Sequence, residues 1–338
     1  MASTNVHEAA PDPLHEERNE ADALRTDVTI ERPRKIITTN TSPYVGFDRS
    51  INPYRGCEHG CIYCFARPTH AYMGLSPGLD FEARLFAKPS AAKLLANELS
   101  HPRYKPRAVA IGTNTDPYQP IEKRFRIMRD ILSVFDAFSH PVTVLTKGRL
   151  ITRDSDIFAR LAARNLTRTA LSITTQDKAL ARAMEPRAST PERRFAAVRE
   201  LAAAGAPVGV VIGPLIPGLN DSELEAIMER AADHGASYSA YTILRLPLEV
   251  SPLFQEWLEE FAPARAKRIM RHIRDMNGGR DYDPEWSRNR EIRTPYATMI
   301  AKRYAAAARR LGLGGKPAPL DLTQFHPPPS ATPQLSLF

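Results

Sequence analysis

Six short apolar runs, each followed by a longer segment with helical spacing, constrain this chain more than any other feature. The runs cover residues 81–86, 108–111, 142–145, 169–173, 208–212 and 241–246. Each is continuously apolar or nearly so, the pattern of a strand covered on both faces in a parallel sheet. The segments between them, 91–99, 125–138, 154–163, 191–204 and 222–234, carry helix punctuation. Pro89, Pro191 and Asp221 stand where helices begin, and Gly205 and Gly235 where they end. Six or seven such β/α units predict a partial or complete (β/α) barrel, whose chemistry lies at the C-terminal ends of its strands.

Four stretches follow. Residues 1–35 are polar and aperiodic and are expected to form a disordered leader. Residues 36–250 hold the barrel, and 251–322 form a helical extension with a basic helix at 296–311. Residues 323–338, with Pro327, Pro328, Pro329 and Pro333, are expected to form a disordered tail. No run approaches the roughly 20 apolar residues of a membrane span, and no apolar signal core follows a basic N-terminus. A cytoplasmic protein with no membrane partner is expected.

The chain has only three cysteines, Cys57, Cys61 and Cys64, all within eight residues. An odd, tightly packed set is a poor disulfide framework but a good metal or cluster site in a reducing compartment. They lie in Asn52-Pro53-Tyr54-Arg55-Gly56-Cys57-Glu58-His59-Gly60-Cys61-Ile62-Tyr63-Cys64, where two glycines let the backbone wrap closely. Thiolates so spaced suit an iron–sulfur cluster, and three ligands for four irons leave one iron open. Structural zinc, with His59 as a fourth ligand, is the competing reading, although no second pair of ligands exists elsewhere in the chain. A net charge of +8 and a pI near 9.5 fit a polyanionic partner such as nucleic acid. An arginine-rich composition with no partner attached gives the same numbers.

The Cys-x₃-Cys-x₂-Cys spacing, with Tyr63 before the last cysteine and a strand near 48–53 ahead of it, resembles the signature of the radical S-adenosylmethionine (SAM) superfamily. The similarity spans residues 44–246 and is nearest to the branch of spore photoproduct lyase and its DNA repair photolyase relatives. The resemblance implies a [4Fe-4S] cluster on Cys57, Cys61 and Cys64. Its open iron would chelate SAM, and one-electron cleavage would release a 5′-deoxyadenosyl radical. It also implies an electron donor such as flavodoxin or ferredoxin.

The same resemblance assigns the strand ends. Gly112-Thr113-Asn114-Thr115-Asp116 occupies the place of the SAM-ammonium segment, with Thr113, Asn114 and Asp116 as acceptors. Lys147 resembles the lysine that holds the SAM carboxylate, and Ser172 matches a serine of that branch. Gly209-Val210-Val211-Ile212-Gly213-Pro214-Leu215 resembles the strand beneath the adenosine, its glycines admitting the nucleoside. Each polar strand end has a plainer reading as a turn or helix cap. Arg187, Arg193 and Arg194 read as a solvated basic loop. Photoproduct lyase quenches a thymine radical with a further cysteine. Here the corresponding stretch is Ile111-Gly112-Thr113, which closes that route and leaves Tyr72 or Tyr118 as candidate hydrogen donors.

The final residues, Gln334, Leu335, Ser336, Leu337 and Phe338, resemble the peptide by which bacterial repair proteins dock on the DNA sliding clamp. Three functions follow: a radical SAM enzyme, lyase-type or other, acting on nucleic acid in a repair-like role; the same chemistry on a protein or small molecule; or a non-catalytic, zinc-stabilised nucleic-acid-binding protein.

Overall fold

The computed structural model describes residues 25–41, 46–283, 294–315 and 317–328. Ten strands are present among them: β1 (Asp27–Ile30), β2 (Thr38–Thr39), β3 (Arg49–Ile51), β4 (Tyr54–Arg55), β5 (Arg84–Ala87), β6 (Val109–Ile111), β7 (Val142–Thr146), β8 (Thr167–Ile173), β9 (Val208–Leu215) and β10 (Tyr238–Ile243). The main sheet runs β10-β9-β8-β7-β6-β3-β2. Its strands from β3 through β10 are parallel, and β2 caps the edge antiparallel to β3. Each successive strand is laid beside the last, so the sheet is wound in one direction, as in a (β/α) barrel. No pairing joins β10 to β2 among the described residues, so the form is partial.

Helices fill the connections. The short α1 (Pro68–Ala71) and α2 (Asp80–Ala83) precede α3 (Ala91–Leu99), α4 (Glu122–Phe125), α5 (Ile127–Ala137), α6 (Ser155–Ala162), α7 (Lys178–Met184), α8 (Pro191–Ala203) and α9 (Leu224–Asp233). Their starts follow local chemistry. The Asp177 carboxylate accepts from the first amides of α7, and the Thr190 hydroxyl caps α8 with Pro191 behind it. Apolar helix faces cover the sheet: Ile131, Phe135, Phe158, Phe195 and Ile227 are fully buried against Val142, Leu171 and Val210. The chain then closes with α10 (Val250–Phe261), α11 (Pro263–Met276) and α12 (Pro295–Arg310). Phe254, Leu258 and Ile269 of α10 and α11 pack with Cys61, Tyr63 and Met184, while α12 lies on α9. The extension thus covers the end of the sheet that carries the cysteines.

Three expectations need correcting. Asp27–Ile30, inside the expected disordered leader, is a strand paired in parallel with β5. Its alternating apolar side chains are too few and too exposed to give a periodic signal. Residues 81–86 do not form a main-sheet strand. Phe81 sits on the helical turn α2, and β5 belongs to a separate sheet in the order β1-β5-β4. The start of the expected tail is anchored. Phe325 packs on Tyr104 and His140, and the His326 amide donates to Phe138 O at 3.2 Å. Residues 1–24 of the leader and Gln334–Phe338 of the clamp-like peptide lie outside the described residues. No helix among those described is long and apolar enough to cross a membrane.

Candidate functional site

The cysteine loop, between β4 and α1, turns twice on glycines. Gly56 has φ 74° and Gly60 φ 69°, a region that costs an L-residue about 1–2 kcal/mol. Space forbids a side chain as well. A Cβ on Gly56 would lie 2.8 Å from Phe81 O, and one on Gly60 would run into the Arg187 guanidinium. The turns are fixed by Cys57 N–H donating to Phe81 O (2.9 Å) and Cys64 N–H to Cys61 O (3.1 Å).

Two arginines grip the loop's carbonyls from behind. Arg67, only 1% exposed, donates from Nε to Cys61 O (3.0 Å) and from Nη2 to Gly60 O (3.1 Å). Arg187 donates from Nε to Glu58 O (2.6 Å). Both guanidiniums close on Glu82, Arg67 at 2.5 Å. Burial pushes all three thiols up, Cys61 to about 12; Asp116 and the two other thiols raise Cys57 further, and Glu185 and Cys64 raise Cys61. Buried thiols so placed become thiolates when a cationic centre ligates them, which is the chemistry a metal cluster supplies. His59, the fourth ligand that a zinc site would use, sets Nδ1 3.4 Å from Asp116 Oδ2. Among the described residues no three His, Cys, Asp or Glu side chains are grouped tightly enough for a single ion.

The strand ends complete the site. A cavity of about 140 Å³ is lined by Cys57, Cys61 and Cys64 together with Thr113, Asn114, Asp116, Lys147 and Ser172. A second, of about 240 Å³, shares Cys61, Cys64, Lys147 and Ser172 and continues along Val211, Gly213, Pro214 and Thr242. The three cysteines, Thr113, Asn114, Asp116, Lys147 and Ser172 therefore all line the first of these spaces. Their freedom differs. Both Asp116 oxygens are taken by protein groups: Oδ1 accepts from Thr146 Oγ1 (2.5 Å) and Tyr118 N (2.9 Å), and Oδ2 from Lys147 N (2.7 Å). Burial works to raise its pKa, but His59 and these donors outweigh it and hold the carboxyl at about 2. Thr113 Oγ1 and Asn114 N both donate to Asn52 Oδ1, at 3.2 and 3.0 Å.

Lys147 Nζ donates to Ser172 Oγ at 3.1 Å and lies 4.0 Å from Glu185 Oε1. Glu185, 3% exposed, also accepts from Thr174 Oγ1 (2.6 Å), from Tyr63 Oη and from the buried Arg194. Burial opposes its ionisation, yet Arg194 and Lys147 hold it at about 2. Arg194 reaches on to Ser172 O at 3.0 Å. It is no part of a solvated loop, because its guanidinium has a buried carboxylate and two carbonyls to satisfy it. Arg187 is likewise committed to the cysteine loop.

Gly209 admits no nucleoside, since the ring of Tyr238 crosses the place where its Cβ would be. Tyr72 is 80% exposed and lines neither cavity, and the Tyr118 hydroxyl is tied to Asp154 Oδ2 at 3.0 Å. Neither is placed to donate hydrogen there. Sequence reasoning missed Asn52, Arg67, Glu82, Gln119 and Glu185. Asn52 opens the quoted cysteine segment without a role assigned to it, and Gln119, three residues past Asp116, bridges the two segments by donating to Gly56 O (3.2 Å) and accepting from Glu58 N (2.9 Å). Glu82 and Glu185 carry no local signal.

Comparison with known proteins agrees with this arrangement. Residues 51–231 match the family model described as Radical SAM superfamily. An uncharacterized protein of Mycobacterium tuberculosis is 33% identical over 290 residues, covering 85% of this chain and 82% of its own. Another, of Methanocaldococcus jannaschii, is 26% identical over 244 residues, covering 72% and 82%. Among solved structures, spore photoproduct lyase complexed with dinucleoside spore photoproduct superposes with a TM-score of 0.59 at 15% identity, covering 85% of this chain and 80% of that one. A variant of that lyase with bound AdoMet and the same dinucleoside gives 0.53 at 15% identity, covering 75% and 79%. At such identities the likeness is one of fold.

Proposed function

The chain belongs to the radical SAM superfamily, and from that premise we propose that it cleaves S-adenosylmethionine at a [4Fe-4S] cluster held by Cys57, Cys61 and Cys64 and acts on a nucleic acid. It is a radical SAM enzyme, and the family implies both cofactors. The observation that carries the site assignment is the single cavity shared by the three thiols, Thr113, Asn114, Lys147 and Ser172. When bound, the cluster supplies the electron that breaks the S–C5′ bond and sets free a 5′-deoxyadenosyl radical for hydrogen abstraction.

The chain's own groups bind and orient. The Lys147 ammonium attracts the SAM carboxylate, and Ser172, held by Lys147 and Gly213 O, fixes where that ammonium lies. The Thr113 hydroxyl and the Asn114 amide offer acceptors to the SAM ammonium. Asp116 is a positioning residue, because it spends its oxygens on the Lys147 backbone and on Thr146. The second cavity, largely apolar along Val211, Pro214, Ile243 and Leu244, suits the adenosine and excludes water.

A nucleic-acid substrate is supported by the charge of +8 and by the fold shared with a lyase that binds a dinucleoside. All three cysteines of the chain lie in the cluster loop, so the hydrogen returned to any product radical comes from a group other than a protein thiol. The test is anaerobic reconstitution with iron and sulfide, then dithionite reduction with SAM and chromatography for 5′-deoxyadenosine. The wild type is expected to yield it and Cys61→Ala to yield none. A protein that holds zinc and no iron after reconstitution overturns the reading. Binding to damaged against intact duplex, at stated salt, then tests the substrate class. Equal and weak binding to both moves the substrate to a protein or small molecule.

A further inference from the structure

At the N-terminal ends of the strands, away from the thiols, lies a cavity of about 640 Å³ whose walls include Phe47, Arg107, Thr143, Arg168, Leu320 and Leu322. Arg168 and Thr143 are the second residues of β8 and β7 and stand side by side in register. Side chains alternate along a strand, so Arg168, Ala170 and Ser172 share one face, with Ser172 about 13 Å further on in the thiol cavity. Between the two spaces stand Ala170 and, over its register partner Gly209, the ring of Tyr238. No residue lines both. Arg107 and Asp48, at the rim, answer each other at 2.8 Å. Arg168 is half-buried, and its Nη2 is buried with no hydrogen-bond partner. Burial lowers its pKa, and only the Tyr238 phenol works against that. Interior arginines elsewhere are given carboxylates: Arg67 has Glu82, Arg194 has Glu185, and Arg153 has Glu122 and Asp154.

We propose that this cavity binds a small organic carboxylate, held by the Arg168 guanidinium and the Thr143 hydroxyl. A charge taken out of water without a counterion is costly to the fold, and a ligand that brings the counterion removes the penalty. The walls set the ligand's class. With Arg107 committed to Asp48, one positive charge is left, which matches a single carboxylate better than a doubly charged phosphate ester. A guanidinium and a carboxylate also meet in a plane through two parallel hydrogen bonds. Phe47, Ala108, Leu320 and Leu322 give the body of the ligand an apolar wall. A polynucleotide is the weaker match, because it asks for a track of cations, and here one uncommitted cation stands beside an acid.

The experiment uses the reconstituted chain and three probes, acetate, benzoate and phenylacetate, followed by ligand-observed NMR titration at constant ionic strength, with benzamide as the neutral control. At least one of the carboxylates should bind and benzamide should not. Arg168→Met should weaken that binding about tenfold or more, and Thr143→Val about threefold. Without ligand, Arg168→Met should melt no lower than wild type, because it keeps the apolar stem and strands no carboxylate. Iron content, SAM affinity and affinity for duplex DNA should be the same in all three proteins. Failure of every carboxylate to bind overturns the proposal, and so does equal binding by wild type and Arg168→Met. A lower midpoint for Arg168→Met without ligand also overturns it, since the fold itself would then answer the guanidinium. A fall in DNA affinity with carboxylate binding unaltered would make the cavity part of a nucleic-acid path instead.

Discussion

Glu185 shows how much of the site rests on one carboxylate placed where ionisation is costly. Nearly sealed from water, it answers Arg194 directly and Lys147 at 4.0 Å, and it ties Tyr63 of the cysteine loop to Thr174, the residue after β8. Removing the charge by Glu185→Gln strands Arg194 in the interior. Breaking such a pair costs about 3–5 kcal/mol, which denaturant unfolding at neutral pH will read. The pH dependence follows from the sign of the shift. The native pKa is about 2, against about 4.3 for an unfolded glutamate. The carboxylate therefore adds stability that is complete above the unfolded value and lost as pH falls toward the folded one. The stability gap between wild type and variant should be full near pH 7 and shrink below about pH 5. A gap that stays constant down to about pH 3 would exclude this role. None of it was legible in the sequence. The thiols, Thr113, Asn114, Lys147 and Ser172 announce themselves by spacing and by position at strand ends. Glu185 meets Tyr63 across 122 residues, and no local pattern records a contact of that span.

The loop of residues 56–67 keeps its shape through two kinds of constraint, backbone turns at Gly56 and Gly60 and the Arg67–Glu82–Arg187 clamp. Gly56→Ala meets both a positive φ and the Phe81 carbonyl, so the whole turn must move. Glu82→Gln leaves the turns intact but removes the only carboxylate among the hydrogen-bond acceptors of the buried Arg67, the others being carbonyls. Both variants should lower the iron bound per chain after reconstitution, and Glu82→Gln should also lower the thermal midpoint, consistent with about 3–5 kcal/mol for a broken buried pair. Normal iron content in both would show that the loop is shaped by the cluster rather than before it. At this scale the sequence was a better guide. The runs from 108 to 212 and the helices between them lie close to where they were expected, because both faces of those strands are largely covered and apolar continuity is what such burial demands. The run at 241–246 is displaced: the strand is Tyr238–Ile243, and its side chains are half-buried or exposed. The sequence failed where burial is partial. The exposed β1 gave no periodicity, and Phe81 is buried from a helical turn whose apolar neighbours imitate a strand.

Across the whole molecule the two ends of the sheet have different tasks. The cysteines, Lys147 and Ser172 stand at the C-terminal ends of the strands. Asp321, Phe325 and His326 are bound at the other end: the Asp321 amide donates to Asn165 O at 3.0 Å, and His326 to Phe138 O, just ahead of β8 and β7. A proline-rich composition concealed this anchoring, since single contacts by Phe325 leave no pattern in a segment otherwise read as mobile. The consequence bears on the clamp-like peptide Gln334–Phe338, which follows this anchor in the chain. A partner captured there is tethered from the end of the sheet remote from the thiols, so docking and SAM chemistry should be separable. Deleting residues 334–338 should abolish binding to a purified bacterial sliding clamp, measured by titration, and leave iron content and SAM affinity unchanged. Equal clamp affinity with and without the five residues would remove the peptide from the protein's function. Loss of SAM affinity on deletion would contradict the separation of the two ends. The basic surface alone predicts neither result, because an unspecific attraction to DNA survives the deletion and falls steeply with salt, whereas a peptide seated in an apolar groove does not.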